Sequence, residues 1–383
     1  MSTYVDIHII QNLPPSCVNR DDSGSPKSAV YGGVRRLRVS SQSWKRATRL
    51  YFNDLLDAKD VGVRTKRVVE VLAERITEDA PELAGDAVTL AEGVFKAARI
   101  KLSPPRGKKD APQESGYLLF LSTSQIARLA ELAIASARDG ETLDAKTVKK
   151  IFKEAHAVDI ALFGRMVADD TDLNVDAACQ VAHAISTHAA ENEYDFFTAV
   201  DDEKSRSEEE DAGAGMMGTV EFSSATMYRY ATVNLDMLVE NLGDGDAALR
   251  ALEVFIKGFC LSMPTGKQNT FANRTLPEAV VVSVRDDQPV SLVGAFEKPI
   301  RTNEADGYLA RSVGALAEHA RAIEDNYGLK PLAGFVVALK GGDILAPEGP
   351  DAPAPLGERV SFADLPDRVR EAVAPRVGRG ERA

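Results

Sequence analysis

Eight basic side chains fall in one short stretch: Arg20, Lys27, Arg35, Arg36, Arg38, Lys45, Arg46 and Arg49. Only Asp21 and Asp22 stand against them, so the stretch carries +6 in a chain whose net charge is −12, and the remainder carries −18. Clustered ammonium and guanidinium groups bind phosphate well, and a helix N-terminus adds unpaired N–H groups and a partial positive charge. The run Ser40-Ser41-Gln42 reads as such a helix start, set inside the basic cluster. This chemistry suits a polyanion backbone and needs no base to be read. If about five phosphates are neutralised, the log–log salt slope on a single strand should be near −3.5. The competing reading is a solvated face whose cations pair with surface acids, and composition leaves both open.

Asp21 and Asp22 invite a second chemistry, since paired carboxylates can hold magnesium for phosphodiester cleavage. Such a site needs further carboxylates converging from elsewhere, and adjacent side chains rarely point the same way. A turn that positions Arg20 is the simpler reading. No GxSxG, Walker loop or HExxH occurs, and Cys17, Cys179 and Cys260 are far apart with no CxxC. His183 and His188 are five apart, the wrong spacing for one helical face. These observations argue against a nucleophilic enzyme, a disulfide framework, a zinc site and a bound cofactor, and for a reducing cytoplasm. Gly213-Ala214-Gly215 and Gly243-Asp244-Gly245 lack the strand–turn–helix setting of a dinucleotide loop. The run DDEKSRSEEED reads as a solvated linker, because calcium-loop spacing is missing. Met216 and Met217, in GAGMMGT, are candidates to wedge between bases or dock on a partner, or else to fold back on their own domain.

The elements that must hold these residues follow from periodicity. Val5, Ile7 and Ile9 alternate with Asp6 and His8, which predicts a half-buried strand, followed by a loop from Leu13 to Ser28. RRLRV predicts a short strand with one polar face. In the next helix Trp44, Thr48, Tyr51 and Leu55 form the inward stripe, and Gln42, Lys45 and Arg49 the outward one. From about Val61 to Ser186 apolar residues recur at helical spacing, interrupted by a breaker-rich loop from Ser103 to Gly116. FFTAV and VEFSSATMYRYATVNL predict a long hairpin with a polar, glycine-rich tip. A helix over Leu249 to Leu261 and buried strands AVVVSVR and GFVVALK follow, then a loosely ordered tail from Pro347 with one short helix. The expected class is α+β: one domain with a large helical insertion and a projecting hairpin. No apolar run is long enough to span a membrane, and the N-terminus lacks signal-peptide character.

The strings PSCVNRDD, GGVRRLRVSSQSWKRA, FGRM, FFTAVDD, GTVEFSSATMYRYATVNLD, GKQNTFA and AFEKP, taken in order, carry a resemblance. The chain resembles the CasC-type backbone subunit of the type I-E CRISPR surveillance complex, Cascade, from the first strand to about Pro299. The region Val61 to Val158 and the C-terminal tail diverge from that pattern. The resemblance implies a hand-shaped protein of the repeat-associated RNA-binding superfamily. Its modified RRM/ferredoxin-like palm would take residues 1–60 and 224–346, helical fingers 61–186, a thumb hairpin 187–223, and a Pro/Arg-rich tail 347–383. It implies a non-catalytic subunit with no cofactor, in the cytoplasm, whose partners are CRISPR RNA, further copies of itself, other Cascade subunits and, through guide pairing, target DNA. Carried over residue by residue, Arg20, Lys27, Ser40, Gln42, Lys45, Arg46 and Arg49 are RNA-contacting, with Lys267 and Gln268 joining from the far side of the palm. Met217 of the thumb and Met166 of the fingers are the implied base-wedging residues. The standard RRM aromatic signature is missing, so base stacking on the sheet is not the expected main mode. The alternative is a metal-dependent RNase using Asp21 or Asp22, since backbone relatives in type III systems cut RNA with an acidic residue in a comparable loop.

Overall fold

Tyr4–Ser16 form one long strand, β1, in the computed structural model, which describes residues 2–107, 111–199, 216–303, 307–339, 342–348 and 354–377. The strand is where its alternation predicts it, but it has no wet face and runs on through Leu13 to Ser16. Asp6 and His8 are buried as fully as Val5, Ile7 and Ile9. Hydrogen bonding makes this tolerable. Asp6 pairs with Arg285 at 3.2 Å and accepts from the Tyr230 hydroxyl and the Val290 N–H, each at 2.9 Å. His8 Nδ1 is hydrogen-bonded to the Tyr228 hydroxyl at 3.0 Å, and that oxygen accepts the Leu292 N–H at 3.0 Å. Burial holds the His8 ring down at about 3, so it is neutral.

β2 (Ser28–Tyr31) and β3 (Val34–Val39) form a tight hairpin through Gly32 and Gly33, at φ +59° and +76°. A Cβ on Gly32 would lie 1.6 Å from the Glu297 carbonyl oxygen, so only glycine fits that approach. The expected polar face of β3 is corrected by Arg36, which is fully buried. Its guanidinium donates to the carbonyls of Tyr31, Ser186, Phe296 and Glu297 at 2.7–3.2 Å, which takes one of the eight cations off the surface. α1 (Ser41–Phe52) follows. Trp44, Ala47, Thr48 and Phe52 are its buried stripe, whereas Leu55 lies beyond the helix end and is exposed.

The next stretch carries β4 (Gly62–Thr65), α2 (Val68–Asp79), α3 (Ala87–Ala97), β5 (Leu102–Ser103), β6 (Glu114–Ser115), β7 (Leu119–Ser122), α4 (Thr123–Asp139), α5 (Ala145–Lys153) and α6 (Val158–Phe163). The helical spacing is borne out: Val68, Leu72, Ile76, Ile126, Leu129, Ala133, Val148, Ile151 and Phe152 share one core. The two small pairings, β4 with β7 and β5 with β6, are not legible in the periodicity. α4 starts on a reciprocal cap, the Ser122 hydroxyl taking the Gln125 N–H and the Gln125 amide the Ser122 N–H, and stops at left-handed Gly140.

Then come β8 (Cys179–Val181), β9 (Ala184–Ser186), β10 (Glu193–Ala199), β11 (Met216–Asn234), α7 (Leu235–Leu242), α8 (Gly245–Leu261), α9 (Gln268–Phe271), β12 (Ala279–Arg285), α10 (Tyr308–Tyr327), β13 (Ala333–Ala338), α11 (Gly342–Leu345), β14 (Glu358–Arg359) and α12 (Leu365–Val373). Among the described residues the main sheet runs β14-β13-β12-β1-β11-β9-β3-β2, and β10 pairs with β11. β1, β12 and β13 are antiparallel in unbroken register, with Ile7 opposite Val282 and Val282 opposite Phe335. The sheet face bearing Ile10, Tyr228, Tyr230, Val281 and Val336 is covered by Val313, Leu316, Ala317 and Ala320 of α10, a helix that the periodicity does not reveal. Among the described residues the tail is docked: β14 adds parallel to β13, and Leu356, Leu365, Val369 and Val373 are buried.

The chain divides into two compact units, one of Met1–Leu50, Val181–Thr232 and Phe255–Pro375, the other of Tyr51–Gln180, Val233–Val254 and Arg376–Ala383. The mixed α+β class is as expected. The hairpin is present as β10–β11, paired from Glu193 with Phe222 to Ala199 with Met216. Its tip, residues 200–215, with the acidic run and the Gly213-Ala214-Gly215 piece, lies outside the described residues.

Candidate nucleic-acid interface

The first unit folds the basic stretch into a loop and a helix start that are tied together. Lys27 N–H donates to the Asn19 carbonyl at 2.9 Å, Arg20 bridges Pro26, and Asp21 N–H donates to the Ser25 carbonyl at 2.9 Å. Asn19 then reaches across, its Oδ1 accepting the Ser40 N–H at 2.8 Å. Ser40 caps the helix: its carbonyl takes the Trp44 N–H at 3.2 Å and its hydroxyl the Ser43 N–H at 3.3 Å. The Ser40 hydroxyl therefore serves the helix end, and its buried position fits that use.

From this start Gln42, Lys45, Arg46 and Arg49 fall at i, i+3, i+4 and i+7, on one side of α1. Gln42 and Arg46 are exposed, and Lys45 and Arg49 are half-buried. The opposite side is clamped by Arg229, whose guanidinium lies 3.6 Å from the Trp44 ring centroid and 4.6 Å from that of Phe259. Arg229 also donates to Gln11 Oε1 and to the Phe259 carbonyl. Burial lowers its pKa to about 9, so the guanidinium stays cationic at neutral pH. It fixes the side chain beneath the basic face.

Lys267 and Gln268 are not on a far side of this unit. Gly266 packs so closely on the loop that a Cβ there would meet the Val18 carbonyl oxygen at 2.3 Å. Arg20 and Lys267 both act on the buried Cys17 thiol, pulling against the burial that raises its pKa. Val18, Asn19, Arg20, Asp21, Asp22, Gly24 and Gly266 line an open cavity of about 500 Å³. Lys267 itself sits at φ +50° and starts the short helix whose first residue, Gln268, is exposed.

Asp21 is occupied by the turn. Its Oδ1 accepts from the Ser23 N–H at 3.0 Å, the Ser23 hydroxyl at 2.7 Å and the Ser25 N–H at 3.0 Å. The Ser23 hydroxyl bond above all holds its pKa below the usual carboxylate range. Among the described residues no cluster of three or more His, Cys, Asp or Glu side chains could hold a metal ion.

Met217 is exposed, but it lies within the paired part of the hairpin, opposite Thr198, rather than at the tip. Its face also carries Tyr194 and Phe196, both exposed. In the second unit Met166 is exposed just after α6.

Sequence reasoning does not reach Asn19, Arg229 or His183. His183 Nδ1 lies 3.1 Å from Arg38 Nη1 and 3.4 Å from the Ser41 nitrogen, at the start of α1. Partial burial, then Arg38 and Lys27, depress its pKa. Only its place as a polar loop residue in PSCVNRDD hints at Asn19. Nothing in the spacing of His183 or Arg229 pairs either with α1.

The chain belongs to the family of CT1975-like proteins, which it matches over residues 5–352. It is similar to a chain of the solved "CRISPR RNA-guided surveillance complex, pre-nicking", at 38% identity and a TM-score of 0.83, covering 96% of this chain and 99% of that one. A second such chain, from a "CRISPR RNA-guided surveillance complex", is 31% identical with a TM-score of 0.72, over 96% and 99%. No curated protein matches the chain. The resemblance read from the short strings thus extends through both units, including the helical region and much of the tail. Among the described residues no helix is long and apolar enough to cross a membrane.

Proposed function

We propose that this protein is a non-catalytic CRISPR RNA-binding backbone subunit of a type I-E Cascade, several copies of which polymerise along the guide and present it for pairing with target DNA in antiviral defence. The observation that carries this is the 38% identity, sustained over 96% of the chain, to a chain of an RNA-guided surveillance complex. On this reading the unit with the main sheet is the RRM-like palm, the helical unit the fingers, and the β10–β11 hairpin the thumb. Arg20, Lys27, Gln42, Lys45, Arg46, Arg49, Lys267 and Gln268 hold backbone phosphates, with Ser40 organising the helix end. The positive end of the α1 dipole adds to the attraction. Met166 and Met217 wedge between bases at intervals, and the apolar face that Met217 shares with Tyr194 and Phe196 supports that role. Sequence recognition then belongs to the RNA, while the protein reads charge and shape.

Cleavage through Asp21 is disfavoured because the turn already engages its Oδ1. Binding of labelled CRISPR RNA titrated with salt in the presence of magnesium, followed by a denaturing gel, tests both statements. A steep salt dependence with intact RNA is expected. RNA cut by the wild type and left whole by Asp22→Ala would make the protein an enzyme.

A further inference from the structure

Met166 stands on a short closed loop. Gly164 turns the chain out of α6 at φ +76°, where a Cβ would come 2.7 Å from the Val175 carbonyl oxygen. Arg165 and Val175 exchange both backbone hydrogen bonds, at 3.0 and 2.9 Å, and so close the loop. A second pin follows at once, the Val167 N–H donating to Asn174 Oδ1 at 2.7 Å. Between the pins Met166 is 78% exposed, whereas its neighbours Arg165 and Val167 are 4% and 1% exposed.

Beneath the loop the Arg165 side chain joins three segments. Nε donates to the Leu173 carbonyl at 2.9 Å, inside the loop. Nη2 donates to the Phe152 carbonyl at 2.7 Å, in the last turn of α5, and Nη1 to Gln125 Oε1 at 3.3 Å, in the first turn of α4. The guanidinium also lies 5.7 Å from the Phe152 ring centroid. These acceptors are neutral. Burying a cation against neutral acceptors stabilises a fold poorly, and an apolar side chain of similar volume would fill the space as well. What an apolar side chain would not do is hold the loop to two helices at fixed angles.

We propose that Arg165 and Asn174 are positioning residues for Met166, holding the loop 165–175 so that the thioether is presented as a fixed wedge; this rests on the reading of Met166 as a base-wedging residue. A sulfur on a mobile loop gives up much of its contact with a base to the entropy of ordering itself. Pinned before RNA arrives, it imposes a kink at one defined place.

The test uses the full chain assembled on a guide RNA. It reads the contrast between reactive and protected nucleotides in chemical probing, alongside guide affinity and its salt slope. Asn174 is exposed, so Asn174→Ala should fold; the contrast is expected to fall about fivefold, the population shift from losing one hydrogen bond. Affinity should fall by no more than the cost of ordering the loop, and the salt slope should not change. Asn174→Asp keeps the acceptor for the Val167 N–H and should restore the contrast. Arg165→Met should lower the contrast at least as far as Asn174→Ala, and if it fails to fold the Asn174 pair decides. Contrast that survives Asn174→Ala but is abolished by Met166→Gly would overturn the positioning roles alone. Contrast that survives Met166→Gly would overturn the wedge reading and the proposal with it.

Discussion

Lys45 and Arg49 lie about one turn apart on the side of α1 turned away from Trp44, where two long cations can follow a phosphodiester chain. Replacing both with Ala should weaken guide binding and flatten the log–log salt slope by about 0.7 for each phosphate no longer neutralised, with little effect on folding. Isotherms at several salt concentrations measure this, and an unchanged slope would remove both from the interface. His183 adds a pH dependence. Its pKa is depressed in the free protein by partial burial, Arg38 and Lys27, and a phosphate bound beside them would raise it. Guide affinity should therefore grow as pH falls into the imidazole range, and His183→Asn should abolish that growth. His8 acts on stability instead. Its folded pKa is about 3, against an ordinary value of 6.5, so below pH 6.5 the unfolded chain takes up a proton that the folded chain refuses. Stability should fall with acidity at up to about 1.4 kcal/mol per pH unit from this group, and His8→Gln should flatten that limb of the denaturation profile. The basic residues are legible because clustered like charge is visible in a string. His183, Asn19 and Arg229 are not, because what matters is a partner far along the chain.

At the scale of elements, α1 is legible because its start obeys a local rule: Ser40 caps it and Asn19 holds the cap. Ser40→Ala should cost about 1 kcal/mol in stability, seen as a lowered denaturant midpoint, and should weaken RNA binding through the frayed helix end. The end of α1 is not, since the i, i+4 pattern runs on to Leu55 while the helix stops at Phe52. Alternation places β1 but misjudges its faces, because a polar residue in a strand predicts a wet face only where no buried partner awaits it. Asp6 has Arg285 and Tyr230, and His8 has Tyr228. α10 is hidden in the sequence because alanines form part of its inward stripe and give a weak signal. The docking of the tail depends on one two-residue strand and one short helix, elements too brief for any period to show.

At the scale of the molecule, the basic stretch carries +6 within a chain of −12, so the acidic remainder disfavours indiscriminate binding of nucleic acid. The proposed backbone role calls for that arrangement, because each copy would take its own segment of guide and leave other RNA alone. On the proposed function, a head-to-tail contact between copies that does not close on itself would build a filament whose length the guide sets. The most direct measurement is the native mass of complexes assembled on guides of increasing length. The account expects the number of copies to rise in regular steps as the guide lengthens. A single copy on every guide, whatever its length, would contradict it.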